Sequence, residues 1–219
     1  MQIQCAQRFL VLMKKPDYSE ETRLERDGFH SVCGIDEVGR GPLAGPVTAA
    51  AVILDPTNIP EGLDDSKRLS EKQRERLYSL IINSSVVSVF HVSVEDIDRL
   101  NILQASLLAM RRAAEALEIT PDYALIDGNK VPQDLVCPAT AVVKGDNKSV
   151  SIAAASIVAK ISRDRLMKAL GDENPGYGWE KNAGYPTKNH LLALEHLGVS
   201  PHHRHSFKPV HNILYPEHK

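Results

Sequence analysis

Cysteine is scarce. Cys5, Cys33 and Cys137 are odd in number, widely spaced and free of any C-x-x-C pair, which excludes a disulfide framework or a zinc knuckle and fits a reducing compartment. Long apolar runs are missing too. The N-terminal run Phe9 to Met13 is too short for the core of a secretory signal and has no basic segment before it. No window approaches the roughly 18 apolar residues of a membrane helix, so a cytoplasmic protein with no membrane partner is the expectation. Nor is one sign of charge in excess: 26 Lys and Arg against 28 Asp and Glu leave −2 with histidine neutral, and bulk electrostatics does not by itself nominate nucleic acid as a partner. Internal repeats and low-complexity linkers are also absent.

What is present is ordinary for a folded domain. At 219 residues and about 150 residues per domain, one domain with a modest appendage is expected, and a chain of this size buries roughly 70% of its unfolded surface without needing a staple. The charge is unevenly placed: from Lys144 to Lys219 there are 11 Lys and Arg against 7 Asp and Glu, a local +4, which permits a basic face.

Residues 1–30 read as a lead-in with a short exposed helix at Ser19 to Arg26. Val32 to Ile35 and the Val- and Ala-rich Val47 to Leu54 read as strands joined by a glycine-rich bend. Ser70 with Gln73 three places on forms a capping box for a helix through Leu80, and Val86 to Val94 is β-branched enough for a third strand. Ile97, Leu100, Leu103, Leu107, Leu108 and Met110 recur at helical spacing, predicting one long amphipathic helix between Val94 and Glu118. Tyr123 to Ile126 and Ala141 to Val143 are short strands. Ser149 caps a helix over about 150–170 that is apolar all round in its first turns, hence buried. A short helix near Leu191 to Leu197 and a histidine-rich tail follow. Strands first, then strands alternating with helices, indicate an α/β domain with a mixed sheet and a small C-terminal helical extension.

Three of these strands end on, or are followed at once by, an acid beside glycine: Asp36-Glu37-Val38-Gly39, Asp127-Gly128 and Gly145-Asp146. Each alone is most simply a turn residue. Together, if the strands end side by side, the carboxylates converge, repel and raise one another's pKa unless a cation intervenes. An all-oxygen set selects hard ions, Mg²⁺ or Mn²⁺, and a pair of them serves in-line displacement at phosphorus.

These residues also carry a resemblance. Gly34-Ile35-Asp36-Glu37-Val38-Gly39-Arg40-Gly41-Pro42-Leu43-Ala44-Gly45-Pro46-Val47 resembles the opening motif of ribonuclease HII, the bacterial type 2 ribonuclease H. Asp65-Ser66-Lys67-Arg68-Leu69-Ser70, Ile126-Asp127-Gly128-Asn129, Lys144-Gly145-Asp146, Ala153 to Lys160 and Gly184-Tyr185-Pro186-Thr187 follow in that family's order, spanning Gly34 to Phe207. The resemblance implies an RNase H-like fold over 31–170, a C-terminal extension with a substrate-contacting tail over 171–219, and four metal-binding catalytic acids: Asp36, Glu37, Asp127 and Asp146. Asp164 competes for the fourth place, but its position inside a helix between two arginines suits a surface ion pair.

The turn Gly39-Arg40-Gly41 lacks the Cβ atoms that would hold a ligand away from the backbone. It is not a dinucleotide fingerprint, because Gly45 comes one place late and Pro42 breaks the helix start. By resemblance it grips the 2′-hydroxyl and flanking phosphate of a ribonucleotide, the 2′-hydroxyl being what tells RNA from DNA. Tyr185, a packed loop aromatic on the plainer reading, would stack on the following deoxyribose. Lys67 and, more weakly, Ser66 would contact backbone phosphate.

The implied activity is an endoribonuclease, expected to be a monomer, that cuts the RNA strand of RNA/DNA hybrids and nicks duplex DNA 5′ of an embedded ribonucleotide, leaving 3′-hydroxyl and 5′-phosphate ends, with two Mg²⁺ or Mn²⁺ ions. An aspartic-type hydrolase on Asp36 and Asp127 leaves Glu37 and Asp146 without use, and a binding-only module would set uncompensated carboxylates against phosphate. His202-His203-Arg204-His205 could suggest zinc, but no second spaced pair accompanies it, and a mixed polar tail is the preferred reading. Val38 and His205 depart from the common family pattern at peripheral positions.

Overall fold

A computed structural model describes residues 15–216. In chain order the elements are α1 (Ser19–Arg26), β1 (Val32–Val38), β2 (Val47–Leu54), α2 (Glu71–Ser84), β3 (Ser85–Val92), α3 (Val94–Leu100), α4 (Ile102–Glu115), β4 (Tyr123–Asp127), β5 (Ala139–Val142), a 3₁₀ turn (Gly145–Asn147), α5 (Val150–Glu173), α6 (Trp179–Asn182), α7 (Lys188–Leu197) and α8 (Lys208–Leu214). The strands form one mixed sheet in the order β3-β2-β1-β4-β5. β1, β2 and β3 make an antiparallel meander, while β4 and β5 run parallel to β1.

The core follows from strand alternation. β2 lies inside the sheet and is covered on both faces, so it reads as a continuous apolar run. Its Val47, Ala49 and Ala51 face Ala105, Ala109 and Ala113 of α4, and Ala50, Val52 and Leu54 face Leu77 and Ile81 of α2 with Ile157 and Val158 of α5. Alanines on strand and helix alike let the layers approach closely.

Two sequence expectations change. The predicted single helix over 94–118 is broken at Asn101, which has φ 71°; its N–H closes α3 on the Ile97 carbonyl at 2.9 Å. Its Oδ1 then accepts from the N–H groups of Leu103 and Gln104 at 3.0 and 3.2 Å, opening α4. Asparagine both caps and tolerates positive φ, and apolar periodicity runs straight through such a break. The helix at 19–26 is not simply exposed: Leu24 is buried with Val32, Leu125 and Ile152, and Glu21 Oε1 accepts from Ser149 Oγ and Ser151 N, at 2.5 and 3.0 Å, at the start of α5. The capping box at Ser70 forms as expected: its N–H bonds Gln73 Oε1 at 2.9 Å, and its hydroxyl accepts from the Gln73 N–H at 3.3 Å.

Gly34 explains how α5 is seated. A Cβ there would overlap the backbone carbonyl group of Ser151, so the first turn of α5 rests directly on β1, one residue before Ile35 and two before Asp36. Gly34→Ala should therefore cost about 3 kcal/mol or more, the upper end for overpacking, because backbone rather than a flexible side chain must yield. Urea denaturation checks this; a loss below roughly 1 kcal/mol would show that α5 is not held against β1 at this point.

Candidate active site

The sheet register brings the strand-end acids to one edge. β1 and β4 pair through Val32 with Tyr123 up to Ile35 with Ile126, so the next residues, Asp36 and Asp127, end neighbouring parallel strands side by side. Asp127 also pairs with Val142 of β5, after which the chain turns sharply at Lys144, a non-glycine residue in the left-handed region with φ 55°. Gly145 N–H donates to Asp127 Oδ1 at 2.6 Å, tying that turn to the strand end and delivering Asp146, only 6% exposed, to the same edge. An open cleft of about 610 Å³ runs over it, lined by Asp65, Lys67, Arg68, Asp127, Lys144 and Asp146 among others.

The electrostatics of this edge are those of crowded carboxylates. Burial, then Glu37 and Asp127, push Asp36 well above the usual carboxylate range, against the Glu37 N–H and the Ser156 hydroxyl, which favour the ionised form. Burial raises Glu37 as well, opposed chiefly by Arg40, whose Nη1 lies 3.2 Å from Glu37 Oε1. Burial and then Asp65 raise Asp146, while the hydrogen bond from Asn147 and then Lys67 oppose. Lys67 is held up by Asp65, Asp36, Asp146 and Asp127 together, against its own burial. Carboxylates drawn together and disfavoured in their charged form are a donor set suited to a hard divalent ion. Among the described residues, however, no three such groups already stand as a ready-made ligand set. The acids share an edge, and closing on an ion requires their side chains to turn toward it. Asp65 belongs to this field and was not singled out from the sequence; its place in the same short loop as Lys67 was the available signal.

Ser66 is placed differently from the expectation of a phosphate contact. It is buried, and its hydroxyl lies 2.8 Å from the Ser156 hydroxyl, which in turn serves Asp36. Its side chain supports an acid instead of facing the cleft.

The glycine turn is held from beneath by two fully buried arginines. Arg204 bonds through Nη2 to the Gly39 carbonyl at 2.6 Å, through Nη1 to that of Arg40 at 3.1 Å, and through Nε and Nη2 to that of Gly45 at 3.0 and 2.8 Å. Arg163 of α5 donates to the carbonyls of Pro46, Ala44 and Ala183 at 2.9, 3.1 and 2.9 Å. Gly39 has φ 92°, and a Cβ on it would strike the Arg163 guanidinium, so glycine is demanded on both counts. Among the described residues no peptide is cis, and a trans peptide points its N–H opposite to its C=O. Because the Gly39 and Arg40 carbonyls face inward to Arg204, the N–H groups of Arg40 and Gly41 face outward from an exposed turn. Burial lowers the guanidinium pKa values to about 10 for Arg163 and about 9 for Arg204, and both stay charged at neutral pH.

Neither arginine was legible as a buried group. For Arg163 a signal exists: Ala155, Ala159, Arg163 and Met167 recur every fourth residue on one buried stripe of α5. Asp164 does form the expected surface ion pair, but with Lys160 at 2.8 Å and not with its flanking arginines. The expectation of a mixed polar tail at 202–205 fails for its middle, since His203 and Arg204 are 1% and 0% exposed.

Tyr185 stands beside the turn, exposed, where a Cβ on Gly41 would lie 3.4 Å from its ring. Its loop rests on a buried neutral histidine pair. The Tyr185 carbonyl accepts from His190 Nδ1 at 2.9 Å, which leaves His190 Nε2 to accept from Trp179 Nε1 at 3.0 Å and from His203 Nε2 at 3.1 Å. His203 Nδ1 in turn accepts from the Ser200 N–H at 3.0 Å. One set of tautomers satisfies every partner, and burial, followed by His190, lowers His203 to about 4. The ring nitrogens of His190 and His203 are thereby taken by Tyr185, Trp179, Ser200 and each other.

The model of the family Ribonuclease HII matches residues 33–210. The chain is 62% identical over 205 residues to "Ribonuclease HII" of Ruegeria pomeroyi, covering 94% of this chain and 88% of that one. It belongs to the ribonuclease HII family. It is accordingly a ribonuclease H, of a family that cleaves the RNA of RNA/DNA hybrids. A ribonuclease HII of Cereibacter sphaeroides is 60% identical, covering 92% of this chain and 95% of that one. Among solved structures, the ribonuclease H2 of Pyrococcus horikoshii superposes with a TM-score of 0.70 at 28% identity, covering 84% of this chain and 97% of that one. The RNase H-like fold expected from the sequence is thus the one found.

The crowded acids predict a stability signature. A carboxylate whose folded pKa is raised contributes stability that is complete below its unfolded pKa, about 3.9 for Asp, and lost as pH rises through the folded value. At neutral pH Asp36 therefore strains the metal-free protein. Asp36→Asn should raise the melting temperature in chelator by about 2–4 °C per kcal/mol of relieved repulsion, and should shrink the stabilisation that added Mn²⁺ gives the unsubstituted chain. Differential scanning fluorimetry with and without Mn²⁺ checks both; a lower melting temperature in chelator would show that Asp36 is not under electrostatic strain.

Proposed function

We propose that the protein hydrolyses the RNA strand of RNA/DNA hybrids and also incises duplex DNA on the 5′ side of a single embedded ribonucleotide, using divalent ions held by Asp36, Glu37, Asp127 and Asp146. The observation that carries this reading is the juxtaposition of buried Asp36 of β1, half-buried Asp127 of β4 and buried Asp146 of the 145–147 turn with an exposed glycine turn whose N–H groups face outward. Bound Mg²⁺ or Mn²⁺, two ions in the reading favoured here, would supply Lewis acidity and charge neutralisation at phosphorus.

The chain's own groups bind and orient. The outward N–H groups of Arg40 and Gly41 suit a phosphate oxygen and a ribose 2′-hydroxyl, and the glycines on either side keep Cβ atoms out of their approach. Arg40 is half exposed and tethered to Glu37, so it links the acids to the turn and can add charge on the scissile phosphate. Lys67 projects into the cleft that contains Asp127 and Asp146 and supplies a phosphate contact that positions without reading sequence. Tyr185, beside Gly41, offers a ring face to the sugar that follows, where a further 2′-hydroxyl would crowd it. The Ser66 hydroxyl acts through Ser156 on Asp36. Domain limits of 31–170 for the catalytic unit and 171–219 for the extension fit this division of labour, with Arg204 and Tyr185 reaching back from the extension to the turn.

A labelled duplex with one embedded ribonucleotide tests this directly. It should be nicked 5′ of the ribonucleotide with Mg²⁺ or Mn²⁺, remain whole in chelator, and yield a 3′-hydroxyl end, while an all-DNA duplex stays intact. Asp146→Asn should lower turnover by about a hundredfold or more, beyond the 10–100-fold typical of groups that only support a ligand, with an unchanged circular dichroism spectrum. Cutting that persists in chelator would refute the metal dependence; cutting of hybrid but never of the single ribonucleotide would refute the incision activity.

A further inference from the structure

The proposed reader of the RNA-to-DNA junction has two parts that lie far apart in the chain, the turn at 39–41 and the loop at 183–187. Arg163 touches the supports of both. Its guanidinium is 0% exposed, and its three nitrogens divide between the two elements: Nε and Nη2 bond the Pro46 and Ala44 carbonyls behind the turn, and Nη1 bonds the Ala183 carbonyl, two residues before Tyr185. The Gly184 carbonyl meanwhile accepts from Leu43 N–H at 2.7 Å, and the Tyr185 carbonyl from His190. Three consecutive carbonyls of the tyrosine loop are thus tied inward, two of them to the turn or to the residue beneath it.

Packing alone does not account for a guanidinium here. A buried cation whose hydrogen-bond partners are all peptide carbonyls carries a desolvation cost that an apolar side chain of similar volume would avoid. A planar guanidinium provides something else, a rigid fork of donors at fixed angles. It projects from α5, the helix seated on Gly34 of β1, so the fork is referenced to the strand that carries Asp36.

We propose that Arg163 is a positioning residue that fixes the spacing between the glycine turn and Tyr185, so that recognition of a ribose and of the sugar after it operate as one coupled reader. The proposal rests on the reading of the turn and of Tyr185 given above. It assigns to a buried residue, which touches no substrate, control over selectivity between an isolated ribonucleotide in DNA and a continuous RNA/DNA hybrid.

The measurement is the ratio of kcat/KM on a duplex with one embedded ribonucleotide to that on a uniform hybrid, for the unsubstituted chain, Arg163→Lys, Arg163→Met, Tyr185→Ala and the Arg163→Lys/Tyr185→Ala pair. Lysine keeps charge and stem but lacks the fork. Both Arg163 variants should lower the ratio by about tenfold or more, within the loss expected when a reacting group is misplaced by about 1 Å. In the Arg163→Lys background, Tyr185→Ala should add little. Equilibrium binding of the two duplexes in chelator, read by fluorescence anisotropy, should show the same trend. Equal losses on both substrates, an unchanged ratio, or additive effects of the two substitutions would overturn the proposal. Failure of both Arg163 variants to fold would do the same, because it would assign the residue to the fold. If Tyr185→Ala alone leaves the ratio unchanged, the assignment of the ring fails and the coupling with it; a change there with none in the Arg163 variants overturns only the coupling.

Discussion

Two guanidinium groups sealed beneath a glycine turn are the constraint on which the rest of the site depends. Arg163 and Arg204 are both fully buried and spend their donors on backbone carbonyls of residues 39–46 and 183. A turn rich in glycine is intrinsically loose, since glycine loses the most conformational freedom on ordering. Hydrogen bonds from charged donors are the stronger kind, and here they hold the carbonyl side of the turn inward. The N–H side is thereby left pointing out. The same bonds explain why Gly39 tolerates no side chain, because the guanidinium fills the space a Cβ would need.

The acids present the opposite problem, like charges concentrated where a neutral core would be more stable. Strand pairing forces Asp36 and Asp127 side by side, and the Lys144 turn adds Asp146. The raised pKa values of Asp36, Glu37 and Asp146 express desolvation and repulsion, which Lys67 and Arg40 relieve only in part. A site of this kind is strained in isolation and gains from a cation. The Ser66–Ser156 pair behind Asp36 holds one carboxylate without neutralising it.

Much of the site was legible in the one-dimensional pattern. Acid-glycine pairs at three strand ends pointed to carboxylates that the fold does bring to one edge, the fourteen-residue opening motif pointed to the family, and the apolar first turns of α5 pointed to a buried helix. Where the reading failed, the cause was physical. Periodicity could not show the break at Asn101, because a capping asparagine with positive φ interrupts a helix without altering the apolar spacing on either side. Composition made the 202–205 stretch look like a solvated tail, since nothing local distinguishes a histidine that titrates in water from one locked between Trp179, His190 and Ser200. Ser66 looked like a phosphate contact from its neighbours in the chain, yet its hydroxyl is turned to a helix ninety residues away.

The sequence by itself determined most of the element types, the buried first turns of α5, the placing of acids at strand ends and the family, because these depend on local spacing and on residue chemistry carried in order along the chain. Only the tertiary structure decided that Asp36 and Asp127 are neighbours, that Lys67 shares their cleft, and that Arg163 and Arg204 lie inside holding a turn more than a hundred residues away. The reason is that strand order and the burial of a charge are properties of the assembled layers. A cation is tolerated in the interior only where distant carbonyls converge to meet it, and no local stretch of residues records that convergence.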